Sequence, residues 1–564
     1  MKLQFLAAFI LALQLTAAIE VHLVDFAIFG DGTAGAVVAG KLANHTRIFT
    51  LPNGRSFVLP PYQVGVYEAG RLVADLPDPD VVNSMEKELL AANYGPIERN
   101  YTSTPIAFRG GARMDIKRVI ADGGCHDHNS ALNRPGDPAA IDAWGLDGFN
   151  HTTLAPFIKD VVDYLPATTL LPLTNIQQAI RENLINKSGY PVVSDADARY
   201  QTIVGIQRTH YTAKLINESY ALRVTTAKRY VHDNPAKGKN LRLYTRMELD
   251  RFVINKQGRI IMAIVKDLER NRVIHVIALR EYILSGGWVD SPLALMRSGI
   301  GNCTKLEALG IKCKVDSPHV GENYRYHLAG VTLRLIDPAW KVSGGIPYQK
   351  TNIMVAMSIQ PNGTIGNTVN AMLDIRQDPY IAAQINPALG AVAMSVGLNM
   401  RDFGPGVVDL DPTNFKRPII NPRLFEGEQG QKDLEFMVDI IEESRRFMDM
   451  IPFYTLELSP GAAYPDRASL FDYVKQRVSD GAHGVGTCRR SNNPEDGVVR
   501  PDCRVWGTRN LCVSDASTLP TSPAGNTNSI TASAAAFDAA QIIARHEYSF
   551  PQAEQDEVDF DDDE

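Results

Sequence analysis

The apolar positions of this chain fall into two rhythms. Val24 to Phe29 is a near-continuous apolar run that stops at Gly30, the pattern of a strand buried on both faces. The stretch after it, "TAGAVVAGKLA", is rich in Ala and Val and predicts a tightly packed helix. "QVGVYEAG" repeats the strand pattern and ends at Glu68; "FTLPNGRSFVLPPYQ", just before it, predicts an inserted hairpin. "LRLYTRMELDRFVINKQGRIIMAIVKDLERNRVIHVIALREYILSGG" alternates, breaks at "KQG" and "ERN", and predicts a small meander returning to a buried strand. Helical segments and a strand-rich region near 330 to 460 lie between these blocks and the C-terminal part.

Gly30-x-Gly32-x-x-Gly35 sits at the junction of the first strand and helix. Its glycines permit a tight turn and close approach of backbone to a pyrophosphate at the helix N-terminus. A carboxylate at the end of the second strand, Glu68, suits the ribose hydroxyls of an adenine dinucleotide, although the inserted hairpin lengthens the usual spacing; the alternative for Glu68 is a surface turn. The expected fold class is therefore α/β, with a discontinuous Rossmann-like domain and a second α+β domain on an antiparallel sheet. The expected division is 1–18 leader, 19–150 first nucleotide-binding part, 151–239 helical or substrate part, 240–325 second nucleotide-binding part, 326–470 substrate domain, 471–550 catalytic block and third nucleotide-binding part, and 551–564 acidic tail.

Composition narrows the setting. The chain has 564 residues, 45% hydrophobic and 21% charged, with net charge −7, so no basic footprint points to nucleic acid. "MKLQFLAAFILALQLTAAIE" has the pattern of a secretory signal cleaved near Ala18; the alternative is a membrane anchor, for which the apolar run is short. Asn-x-Ser/Thr triplets at Asn44, Asn100, Asn150, Asn186, Asn217, Asn302 and Asn362 fit a glycosylated, exported protein. The six cysteines allow Cys303–Cys313 and Cys503–Cys512 bridges without fixing connectivity, and none has zinc spacing. The tail "AEQDEVDFDDDE" has little to bury.

Several separated motifs converge on one family. "GDGTAG" with "YEAG", "GGCHDHNSALNRPGDPAAIDAWG", "GGWVDSPLALMRSGIGNCTKLEALGIKCKVDSPHVGEN", "AHGVGTCRRS" and "LCVSDASTLPTSPAGNTNSITA" occur in order. Over nearly its whole length after the leader, the chain resembles the glucose–methanol–choline (GMC) family of FAD-dependent oxidoreductases. Trp288 where the family has a small residue, "CRRS" at 488 to 491, and "RVIADGG" depart from the pattern. The resemblance implies FAD as cofactor, with contacts at Gly30, Gly32, Thr33, Ala34, Gly35, Glu68, Ala69, His128, Asn129, Ser130, Ala131, Leu132, Leu249, Asp515, Ala516, Thr527 and Asn528.

The same resemblance implies His483 and Asn526 as the catalytic pair. A histidine's ordinary pKa near 6.5 suits proton transfer; an amide is no base but can orient an alcohol oxygen. The plainer readings are a turn histidine, a turn asparagine before the last helix, and Asp515 as that helix's N-cap. "GGCHDHNSALN" at first suggests a metal site, but no further ligands are evident. Gly-Gly-Cys-x-x-His-Asn resembles the flavin-attachment stretch of choline oxidase-like members, which implies that His128 tethers FAD. The implied activity is oxidation of a small-molecule alcohol to a carbonyl, with oxygen or another acceptor reoxidising the flavin. The alternative is a lyase or cyclase of natural-product metabolism whose FAD is not redox-active.

Overall fold

The computed structural model describes residues 20–547 except 52, 84–94, 168, 218–219, 341–342, 344–352, 361–363, 379–380, 383–384, 387–391 and 402–403. The leader, the acidic tail and Asn362 lie outside the described residues.

The first apolar run becomes a central strand, Glu20–Phe29, which begins four residues before the run itself because Glu20 onward pairs with Ile274 onward. It lies between two parallel neighbours, Val64–Glu68 and Arg272–Leu284. Its side chains then alternate between two cores, as the two-residue strand period demands. Phe26 and Ile28 face the helix side with Val37, Val38, Leu42 and Ile530. Ala27 and Phe29 face the meander side with Tyr67, Phe252 and Tyr282.

The sheet order is Leu241–Thr245, Val64–Glu68, Glu20–Phe29, Arg272–Leu284, Ile260–Asp267, Met247–Ile254, and Leu511–Val513 also pairs with Arg272–Leu284. The expected meander is present as the antiparallel strands from Met247 to Leu284. The expected inserted hairpin pairs Ile48–Thr50 with Ser56–Val58.

The second sheet is antiparallel, ordered Tyr454–Ser459, Leu328–Ile336, Val392–Asn399, Ala371–Asp378, Ile353–Met357, Gly205–Arg208. Gly205–Arg208 comes from well outside 326–470, and Ser479–Asp480 adds a short strand beside Leu328–Ile336. The amphipathic helix Gly427–Asp449 packs on this sheet. It can do so closely because Gly330 and Gly397 pair directly across the sheet and leave a flat spot. A Cβ at Gly397 would lie 2.4 Å from Ile440, and one at Gly330 2.7 Å from Ile441.

Cys303 and Cys313 are bridged. The second candidate bridge is corrected: Cys503 and Cys512 are buried free thiols. Both contact Arg545, which is ion-paired to the buried Glu281 at 3.0 Å. Among the described residues no helix is long and apolar enough to cross a membrane.

Candidate active site

A cavity of about 700 Å³ lies between the two sheets, with Leu249 and Leu284 from the first and Ala329, Asp374, Val396 and Leu398 from the second in its wall. Its first end is bare backbone. Gly30 has φ +106°, and a Cβ there would meet the Ser285 carbonyl oxygen at 2.4 Å. A Cβ at Gly35 would sit 2.0 Å from the Gly30 carbonyl oxygen, so Gly35 serves the turn's packing and does not line the cavity. A Cβ at Gly124 would come within 3.0 Å of Gly32 Cα, so two glycine loops cross here. Side chains are thus kept out where a dinucleotide would lie against the N-terminus of helix Thr33–Asn44, and the residues present fit that group.

Glu68 is buried and lines the cavity rather than turning to the surface. Its two oxygens accept from the Asp31 N–H at 2.9 Å and the Gly70 N–H at 2.7 Å, fastening the second strand to the glycine turn. Burial nevertheless raises its carboxyl to about 7. Burial and the neighbouring Asp122 raise Asp31 well above the carboxylate range and Asp127 to about 8. These acids are pushed toward their neutral forms, which limits negative charge beside a diphosphate.

Thr33, Ala34, Ala69, Ser130, Leu132, Ala516, Thr527 and Asn528 all line the cavity. Thr33 donates to Asn528 at 2.9 Å, tying the first helix to the start of helix Thr527–His546. Asp515 accepts from the Gly287 N–H at 2.8 Å and the Ser291 hydroxyl at 2.6 Å. It caps the turn Ala516–Thr518, not the last helix. Ala131 is buried, has φ +53°, and is not in the cavity wall. Asn129 holds that turn by accepting from the Ala131 N–H at 2.8 Å.

The histidine pair of "GGCHDHNSALN" separates. His126 is fully buried, with Nδ1 accepting from the Thr226 N–H at 3.2 Å and Nε2 3.1 Å from Thr212. Burial lowers its pKa to about 3, so it is a neutral core residue. Asp127 folds back onto Gly123. His128 lines the cavity, and its Nε2 lies 3.8 Å from Glu98. Asp31, Asp122 and His232 do cluster within 4.8 Å, yet neither His126 nor His128 belongs to that group.

The far end of the cavity holds His483 and Asn526. Asn526 stands at the N-cap of the last helix, but its side chain makes no capping bond; its Nδ2 lies 2.9 Å from His483 Nε2. His483 Nδ1 lies 2.9 Å from His327 Nδ1, and His327 Nε2 contacts Ser522. The roles along this chain are fixed by one donor. The Asn526 N–H donates to His483 Nε2, so His483 carries its proton on Nδ1 and donates to His327, which donates in turn to Ser522. Burial first, then the charge of Arg134, lowers His483 to about 4. It is a neutral acceptor across the physiological range.

Sequence reading missed His327, Arg134 and Asp374. His327 follows "GENYRY" by one residue, a histidine with no partner in its own segment. Two departures from the family pattern find explanations. Trp288 is fully buried and stacks on Tyr324 at 4.3 Å, with its indole against Gly484, where a Cβ would be 2.3 Å away; the bulky ring demands the glycine after His483. Arg490 of "CRRS" is a buried structural ion pair with Asp538 at 2.7 Å.

A glycine cradle opening into a cavity that ends at a histidine–amide pair defines a dinucleotide-dependent oxidoreductase. Models of the GMC oxidoreductase family match residues 123–329 and 403–536, and the chain belongs to that family of FAD-using enzymes. It is 25% identical to pyranose dehydrogenase of Agaricus campestris over 562 residues, covering 89% of this chain and 90% of that one. It is 25% identical to choline oxidase of Arthrobacter globiformis over 529 residues, covering 88% and 90%. In fold it matches formate oxidase with TM-score 0.76 at 22% identity, covering 94% and 99%, and pyridoxine 4-oxidase from Mesorbium loti with TM-score 0.73 at 22%, covering 92% and 99%.

The lowered pKa makes a pH prediction. Protonated His483 cannot accept a proton, so kcat/KM for flavin reduction should stay level from about pH 8 down to about pH 5 and fall along a limb near pH 4. A limb at the ordinary histidine value would contradict the geometry.

Proposed function

We propose that this chain is an exported, glycosylated alcohol oxidoreductase that converts CH–OH to a carbonyl. The observation that carries the reading is the 2.9 Å contact of His483 Nε2 with Asn526 Nδ2 in the wall of the cavity. FAD held in the glycine cradle supplies the hydride acceptor. His483 takes the hydroxyl proton on Nε2 as the Asn526 N–H turns to the alcohol oxygen and steadies its developing negative charge. Ala329, Val396 and Leu398 form apolar wall at this end and exclude water from the reacting oxygen.

Two details belong to the proposal. His128 is the residue that tethers FAD; what supports this is its place in the cavity wall within the "GGCHDHN" stretch. Asn44, Asn100, Asn186 and Asn217 are exposed and open to glycosylation. Asn150 and Asn302 cap helices through their carbonyl oxygens, which leaves their amide nitrogens for a sugar.

Anaerobic addition of an alcohol panel to the yellow holoenzyme should bleach the flavin with at least one alcohol, and mass spectrometry should find the matching aldehyde or ketone. Product formed with the flavin still oxidised would overturn the oxidoreductase reading in favour of a lyase. For the tether, acid precipitation should leave yellow colour and fluorescence with the polypeptide; complete release of FAD into the supernatant would refute it.

A further inference from the structure

Behind the catalytic pair stands a second, Arg134 and Asp374, 2% and 5% exposed. Asp374, on strand Ala371–Asp378, accepts from Arg134 Nη2 at 2.6 Å and Nη1 at 3.1 Å. Arg134 Nη2 also donates to Thr209 at 3.1 Å, and Nη1 reaches Met372 sulfur at 3.1 Å and Asn526 Oδ1 at 3.4 Å. One guanidinium therefore ties the second sheet to the catalytic amide.

The two ends of an asparagine amide are nearly equal in size, so packing alone does not choose between them. A guanidinium does choose, because it has only donors and can face only the carbonyl end. With Oδ1 turned to Arg134, the N–H of Asn526 must face His483. That in turn requires a lone pair on His483 Nε2 and puts the His483 proton on Nδ1, toward His327. A flipped amide would aim its oxygen at Nε2 and favour the protonated or opposite tautomer, which cannot act as base.

We propose that Arg134 and Asp374 are a positioning pair that fixes the Asn526 amide and thereby keeps His483 Nε2 unprotonated, its lone pair toward the Asn526 N–H. The proposal rests on the catalytic reading of His483 and Asn526. Asp374 has its own part: it neutralises the guanidinium with a two-bond clasp, since a lone buried charge would be strongly destabilising. Arg134 also acts on His483 through its own charge, which disfavours a second positive charge there.

Two variants test it in the flavin-loaded enzyme. Arg134→Met/Asp374→Leu removes both charges and keeps the volume, so no buried charge is stranded. Arg134→Lys keeps one charge but cannot span Asp374, Thr209 and Asn526 together. ¹³C-histidine NMR, with His483 assigned by the loss of its signal in His483→Gln, reads the titration without any substrate. Anaerobic bleaching by an alcohol that reduces the wild type reads the rate.

In the double variant the His483 titration should move up from near 4 by about one pH unit. In Arg134→Lys the amide is no longer held, so the titration should also rise, even though the positive charge is kept, and bleaching should slow about 10- to 100-fold. A double variant with unchanged titration and a wild-type rate overturns the proposal. If the double variant does not fold, Arg134→Lys decides: an unmoved titration overturns the proposal, and a slowed rate with a raised titration supports it. A His483→Gln enzyme that bleaches as fast as the wild type would instead overturn the catalytic reading on which the pair depends.

Discussion

Everything at this site depends on backbone approaching backbone without side chains between. The Gly30 turn lies against the Ser285 carbonyl, and Gly124 lies against Gly32, at distances where a single Cβ would collide. Those crossings bring the first strand, the loop carrying His128 and the strand ending at Leu284 to one rim. The Thr33–Asn528 bond then pins the last helix there, which places Asn526 at its N-cap. The Asn526 amide is thus located by the glycine cradle, and the histidine it faces arrives from the edge of the second sheet, just after Ser479–Asp480.

Burial is the second organising force, and it works in opposite directions on acids and bases. It raises Glu68, Asp31 and Asp127 toward neutrality near the glycine turn. It lowers His126, His327 and His483. Both shifts have one cause, the cost of a charge away from water. A pocket that disfavours charge on its own groups is ready for a substrate whose charge develops only during reaction. The ion pairs Arg134–Asp374 and Arg490–Asp538 are tolerated because each charge has a close partner.

Local features were the legible ones. The strand–glycine–helix opening, the inserted hairpin and the meander each announce themselves within about 50 residues, through period and turn chemistry. His483 and Asn526 were readable from ordered motifs. What could not be read were contacts made by tertiary folding. Arg134 meets Asp374 across 240 positions of chain, and Gly205–Arg208 joins a sheet whose other strands begin at Leu328. Cys503 and Cys512 look like a bridge from spacing alone, and only the fold shows both as buried thiols against Arg545. The metal-like look of His126 and His128 misleads for a related reason. A 3₁₀ turn at Gly124–Asp127 sends one ring into the core and the next into the cavity wall.

On the proposed function, one oxygen of the substrate is held between His483 and Asn526. A crystal structure of the reduced, FAD-loaded enzyme with a reactive alcohol or its carbonyl product tests this directly. The substrate oxygen should lie about 2.6–3.2 Å from both His483 Nε2 and Asn526 Nδ2. A substrate oxygen bound elsewhere in the cavity, with the His483–Asn526 bond undisturbed, would contradict it.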